Sequence, residues 1–173
     1  MVFASSNGAT AFSVASGTGW AIEDQVSSVS SVVRGAIFWK IADGSDSLSV
    51  GLNTTLGLGA RIIRVLSGTF NASTPFDQTS DTPATGSNPN PPNHTPSGGA
   101  DDYLWIAVRH GGSAATVSAA PTNYTDLRTA FTGANSNNVA IAERELNASS
   151  EDPGAFTIVS STNVVRTVAI HPV

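Results

Sequence analysis

The sequence predicts an all-β fold, an antiparallel sandwich of nine or ten short strands. Three observations predict it. Apolar residues recur with period two rather than 3.6, short apolar runs are bounded by Gly, Asn, Asp and Ser, and few windows have the spacing of an amphipathic helix.

Thr10 to Val14 alternates large apolar with small polar residues, the pattern of a half-buried strand. Val32 to Ala42 places Val33, Ile37, Trp39 and Ile41 on one face and Arg34, Phe38 and Lys40 on the other. Asp43-Gly44 follows, a turn pair, because Gly tolerates positive φ and Asp bonds its own backbone. Leu48 to Leu52 alternates again, completing a strand, a tight turn and a strand. Ala60 to Leu66 is β-branched between Gly59 and Gly68, and Tyr103 to Val108 is nearly all apolar, as a central strand buried on both faces should be. Shorter strands are expected at Ala115–Ser118, Asn138–Glu145, Ala155–Val159 and Val164–Ile170, the last closing the sheet. Tyr124 to Phe131 sets Leu127 and Phe131 four apart, which leaves one or two helical turns open. Asn138 to Leu146 is ambiguous: Ala-Glu-Arg-Glu-Leu favours helix, whereas Val139 and Ile141 favour strand.

The polarity of the chain is neutral rather than ionic. Of 173 residues, 23 are Ser, 18 Thr and 12 Asn, and charged residues make up 12%, about half the share in an average domain (roughly 25%). With 40% hydrophobic residues the chain buries enough apolar area to fold, so a disordered acidic tail is excluded. No apolar run approaches the roughly 20 residues needed to cross a bilayer. A net charge of −5, with Lys40 and seven scattered arginines, lacks the cationic face of a nucleic-acid binder. The absence of cysteine removes disulfides, thiolate metal sites and a cysteine nucleophile. No basic-then-apolar leader opens the sequence, so no secretory signal is expected and the sequons at Asn53, Asn71, Asn93, Asn123 and Asn147 read as products of composition.

One stretch stands apart. Residues 67–102 carry no positive charge, and six of the nine prolines lie between Pro75 and Pro96. Pro89, Pro91, Pro92 and Pro96 deprive residues 88–96 of ladder donors and fix φ. So long a loop is functional or disordered, and the preferred reading is an extended arm on a neighbouring subunit, with Pro75 and Pro83 at its start and His94 within it.

Phe38-Trp39-Lys40-Ile41-Ala42-Asp43-Gly44-Ser45, the preceding Gly19-Trp20, and Tyr103-Leu104-Trp105-Ile106-Ala107 resemble a family of virion-associated domains of tailed bacteriophages and prophages. Ala120 to Thr125 and the closing Val168-Ala169-Ile170-His171-Pro172 fit the same pattern, so the resemblance runs from about Gly19 to the end. It implies a jelly-roll-like β-sandwich on the virion, either a capsid decoration or head-fibre protein or a tail-fibre module. It divides the chain into an N-terminal segment, residues 1–18, acting as an inter-subunit arm, and one sandwich domain, residues 19–173. The implied partners are other copies of the chain, with a trimer favoured, and a major capsid or other virion protein. A host-surface glycan is the alternative partner, and Trp20 is the ring most suited to stack on it. A neutral, hydroxyl-rich surface agrees with this, since interface cores are depleted in charge and Ser, Thr and Asn bond at low desolvation cost.

The residues predict a protein without catalytic chemistry, cofactor or metal. His110 with a serine and Asp101 or Asp102 makes a triad on paper, but with 23 serines that is chance, and no Gly-x-Ser-x-Gly elbow occurs. Asp101-Asp102, Glu143/Glu145 and Glu151-Asp152 are paired in sequence, which does not set two carboxyls across a sugar. Asp43-Gly44-Ser45-Asp46 reads as a turn, since the distal Glu of a calcium loop is missing. Trp39 and Trp105 are expected in the core and Trp20 nearer the surface.

Overall fold

The computed structural model describes residues 1–7, 11–15, 18–28, 32–45, 58–66, 68–79, 82–112, 115–131 and 137–173. Among them it contains twelve strands and no helix. The first sheet comprises β1 (Val2–Asn7), β2 (Ala21–Ser27), β3 (Val33–Trp39) and β4 (Leu58–Ile62), in the order β2-β3-β1-β4. The second comprises β5 (Phe76–Gln78), β6 (Thr82–Gly86), β7 (Asp101–Gly111), β9 (Thr125–Phe131), β10 (Asn138–Ala148) and β12 (Ser161–Ile170). Its order is β5-β12-β7-β10-β9, with β6 also on β12. A small third sheet pairs β8 (Val117–Ala119) with β11 (Thr157–Ile158). All these pairings are antiparallel, and the fold is an all-β sandwich.

β7 is the axis of the molecule, and its pleat sorts the two cores. Ile106 and Val108 point toward the first sheet and pack with Phe3, Ile37, Val139, Ile141 and Val168. Tyr103, Trp105 and Ala107 point the other way and pack with Tyr124, Ala140, Ala142, Phe156 and Ile158. Being apolar on both faces is why Tyr103–Val108 lacks alternation: each face has its own cover. Burying one Ile or Phe side chain contributes roughly 1.5–3 kcal/mol, so these two clusters hold the layers together. A third cluster lies on the outer face of the first sheet, where Phe12 stands edge-on to Phe38 at 5.6 Å between ring centres.

The structure differs from the sequence-based expectations in four places. Residues 124–131 are not helical turns: Thr125–Phe131 is a strand on β10, and the pairing shifts between Ile141 and Glu143. Asp126, at φ 51°, sits at that irregularity, and four-residue spacing of Leu127 and Phe131 proved compatible with a strand so interrupted. Val2–Asn7, ahead of the Gly19 at which the sandwich was expected to begin, is itself a sandwich strand, between β3 and β4 of its own chain. Trp39 is only half-buried, at an open end of the sandwich. The proline-rich segment folds back on its own chain. The ambiguous Asn138–Leu146 is strand throughout, and Leu48–Leu52 lies outside the described residues.

That segment roofs the second sheet. Phe156 N donates to Pro89 O (3.0 Å), Ile158 N to Ser87 O (3.0 Å), and His94 and Glu151 exchange two backbone bonds of 2.9 Å. Thr167 Oγ1 donates to Pro92 O at 2.6 Å. The prolines leave carbonyls but no donors, and the neighbours supply the donors.

Candidate functional site

The sequence-predicted contact residues do not form one surface. Pro89, Pro91, His94 and Pro96 are buried in the roof, Pro75 and Pro92 are half-buried, and Pro83 is exposed on the edge strand β6. His94 stands edge-on to Trp105, with ring centres 6.2 Å apart, and is a piece of the core rather than a contact residue. Burial lowers its pKa; Asp77 opposes and His171 adds to the lowering.

Below the roof, β5 and the end of β12 bring together Asp77, Ser97, Tyr103 and His171. Ser97 donates to Asp77 Oδ2 from its amide (2.7 Å) and its hydroxyl (2.8 Å), and His171 Nε2 stands 3.2 Å from the same oxygen. Burial pushes the Asp77 carboxyl up, but the two Ser97 bonds and His171 outweigh it and hold the carboxyl below its ordinary value. The order is serine, aspartate, histidine. An activated nucleophile needs the imidazole against the hydroxyl, so this group clamps the start of the roof instead.

The histidine picked out beside the central strand, His110, is fully buried between the sheets. Nine residues of extended strand, about 30 Å, separate it from Asp101. Burial first, then Arg166 and Arg109, hold its pKa well below the ordinary range, against a smaller opposing contribution from the Ala4 backbone. Arg109 is equally buried, and burial lowers its pKa to about 10. Its guanidinium lies over Gly111, between Asn163 and Asn138, the two residues that flank Gly111 in register. Nε donates to Asn163 Oδ1 at 2.7 Å and a second nitrogen donates to Asn138 Oδ1. On the opposite face Arg166 donates to Gln78 Oε1 (2.6 Å) and stands 3.9 Å from Asp24 of the first sheet. These groups tie strands and sheets together.

The carboxylate pairs are likewise engaged. Asp102 accepts from Asn147 Nδ2 at 2.8 Å, and Glu151 meets Arg144 at 2.7 Å. Asp102 and Glu145 line an open cleft of about 470 Å³ with Leu104 and Asn147, but both are exposed, so nothing excludes water from a sugar-cleaving pair. Asp43 accepts from the amide and hydroxyl of Ser45, at 2.9 and 2.7 Å, as the turn reading requires.

The feature best formed to receive something lies at the open end of the sandwich. Val2 of β1 pairs with Phe38 on one side and Ile62 on the other. Beyond this register β3 continues as Lys40, Ile41 and Ala42, and β4 as Ile63, Arg64 and Val65. These two flanks line a cleft of about 500 Å³ with Met1 between them, within the usual 300–1,000 Å³ of binding pockets. Trp20, Trp39, Phe70, Phe76 and Ile170 complete its walls. Trp39 is edge-on to Phe76 at 5.6 Å, and its Nε1 donates to Glu23 Oε2 at 3.1 Å. Ile41 and Ile62 are 42% and 48% exposed, so the apolar lining reaches the surface. Lys40 Nζ donates to Thr18 O at 2.9 Å across Gly19, whose missing side chain makes room for the lysine. Of the sequence-predicted contact residues, Trp20 and Pro75 belong to this cleft. Ile62 and Phe70 gave no sequence signal of their own, because only the register of β1, β3 and β4 brings them together.

Comparison with protein-family models, with curated proteins and with solved structures found no match.

Proposed function

We propose that this chain is a non-enzymatic structural module of a bacteriophage virion that works by binding neighbouring chains on the particle surface, with capsid decoration as its favoured place. The observation that carries the reading is the aromatic and aliphatic cleft at the open end of the sandwich, formed around Trp39, Lys40 and Ile41. Those residues belong to the stretch that resembles phage virion domains. Exposed apolar side chains gathered in one place mark an interaction site rather than a neutral surface, and the hydroxyl-rich remainder of the chain suits a hydrogen-bonded rim. The serine–aspartate–histidine order and the enclosure of His110 favour a structural over a catalytic role for the polar groups.

Native mass spectrometry of the recombinant protein, over a hundredfold range of concentration, tests assembly. A trimer or another closed oligomer is expected, weakened when Ile41 and Ile62 are both changed to Asp; a monomer at every concentration refutes self-assembly. Antibody labelling of purified particles tests location, and hundreds of copies per particle by gel densitometry is the outcome expected of a decoration protein.

A tail-fibre module that binds glycan is the second reading, favoured by the half-buried Trp20 on the rim of this cleft. Binding on a glycan array that Trp20→Ala abolishes selects it. The aliphatic walls argue for the first reading, because a sugar needs more polar partners than this lining supplies.

A further inference from the structure

Residues 87–97 of the roof carry one titrating side chain, that of His94. Pro89, Pro91, Pro92 and Pro96 fix φ and stiffen the segment, so it moves as a strap rather than residue by residue. Its bonds to the molecule below are spaced out. Phe156 N donates to Pro89 O, Thr167 Oγ1 donates to Pro92 O, and His94 and Glu151 exchange two backbone bonds. The strand beneath is tied differently: β7 is paired with β10 from Asp101 to Gly111 and with β12 from Leu104 to Gly111. Segments held at separate points open locally at lower free energy than a strand paired on both sides.

The surroundings of His94 make that opening depend on its charge. The ring is buried edge-on against Trp105, with 6.2 Å between ring centres. The charged and titrating groups around it are engaged elsewhere. On β5, Asp77 takes two bonds from Ser97 and stands 3.2 Å from His171, which follows β12. On the other side Glu151 is held by Arg144 of β10 at 2.7 Å, with Tyr124 beside them. Tyr103 of β7 turns its hydroxyl to Gly99 O. A charge on His94 meets attraction from Asp77 and repulsion from His171, and the loss of water outweighs both. The least costly motion that wets the ring is the lifting of the strap, not the separation of the sheets. We propose that residues 87–97 are an acid-released strap: in mild acid His94 takes a proton, residues 88–95 swing off Trp105, and the sheets stay folded. Ser97 is the pivot, because the Asp77 carboxylate that holds it stays ionised in mild acid. The motion uncovers Trp105, Tyr103 and Phe156, all enclosed while the strap is down. It is independent of the cleft at the open end and of what that cleft binds.

The test is amide hydrogen exchange of the full chain, followed by NMR at pH 7.5 and 5.5 and expressed as protection relative to the intrinsic rate at each pH. The amides of Glu151 and Phe156, which bond to His94 O and Pro89 O, report the strap. Those of Ile106 and Val108 on β7 report global unfolding. The strap amides are expected to be less protected than the β7 amides at both pH values. Between pH 7.5 and 5.5 they should lose up to about tenfold in protection, the limit that one proton sets over the unit below 6.5. His94→Gln leaves a neutral side chain that cannot charge, and its strap amides should keep one level of protection at both pH values, whatever that level is. His171→Gln, at the clamp, should retain the fall. Strap amides as well protected as Ile106 and Val108 would open only with the whole fold, which overturns the proposal. Equal protection of the wild-type strap at the two pH values overturns it too. A fall that persists in His94→Gln but is lost in His171→Gln places the trigger in the clamp and overturns the role of His94.

Discussion

At two glycines a neighbouring ring or guanidinium fills the space that a Cβ would take. A Cβ on Gly35 of β3 would stand 2.5 Å from Cδ2 of His110, which is enclosed between the sheets and cannot retreat. Gly35→Ala is therefore expected to cost about 1–3 kcal/mol, the usual penalty of overpacking, read as a lower urea midpoint at unchanged slope. A change within 0.3 kcal/mol would mean that the ring has room to move. Gly111 plays the same part for Arg109, whose guanidinium occupies the space where a side chain would lie. The cation is held by the side-chain carbonyls of Asn163 and Asn138, so removing one acceptor leaves a buried donor unpaired. Asn163→Leu is expected to destabilise by about 2–4 kcal/mol, since the stranded group is charged. Equilibrium unfolding checks it, and an Arg109→Met, Asn163→Leu double variant should recover part of the loss.

At the scale of elements, the proline segment is a roof because its carbonyls face donors on β12 and on residues 156–158. Thr167→Val removes the 2.6 Å bond to Pro92 O while keeping shape. A loss of about 1 kcal/mol is expected, together with faster amide exchange at Phe156 and Ile158, which bond to Pro89 O and Ser87 O. Unchanged exchange there would show that the roof does not open as one unit. Strands β7 and β12 were legible in the sequence because burial on two faces leaves apolar runs, whereas β10 was legible only in its buried first half, since the exposed Glu-Arg-Glu that follows Ala142 also suits a helix. β1 and β2 were not: Val-Phe-Ala-Ser-Ser-Asn and Ala-Ile-Glu-Asp-Gln-Val-Ser carry small or polar residues, and the sheet around them holds them extended. Short-range spacing misled at β9, where pairing with β10 overrode a helical period. The cleft was legible only in part. Trp20 stood out as a surface aromatic, but the flanks around Met1 exist only once three distant strands are in register.

For the whole molecule, the neutral composition conceals a buried set of titrating groups that fixes the pH range of the fold. His94 and His110 both have pKa values below the ordinary 6.5, chiefly through burial, and His110 far below it. Above pH 6.5 both are neutral in the folded and unfolded chain and exert no pull. As pH falls below 6.5 the unfolded chain takes up protons that the folded chain refuses, so stability declines, by up to about 1.4 kcal/mol per pH unit for each histidine. For His94 the decline ends once pH passes its folded pKa; for His110 it continues to lower pH. Asp77, depressed below 3.8, contributes stability that is lost only at still lower pH, whereas Glu143, raised above 4.5 chiefly by burial, offsets part of the histidine fall as pH drops toward 4.5. Burial also lowers the Met1 amino group from 8.0 to about 6, so urea unfolding at pH 7.5, 6.5, 5.5 and 4.5 should show a decline already between 7.5 and 6.5 and a steeper fall below 6.5, well above the carboxylate range. His94→Gln, in the roof, should make the first unit of the fall shallower without abolishing it, because His110 remains between the sheets. A plateau extending to pH 4.5, or a fall unchanged in His94→Gln, would contradict this assignment and place the acid sensitivity in the carboxylates.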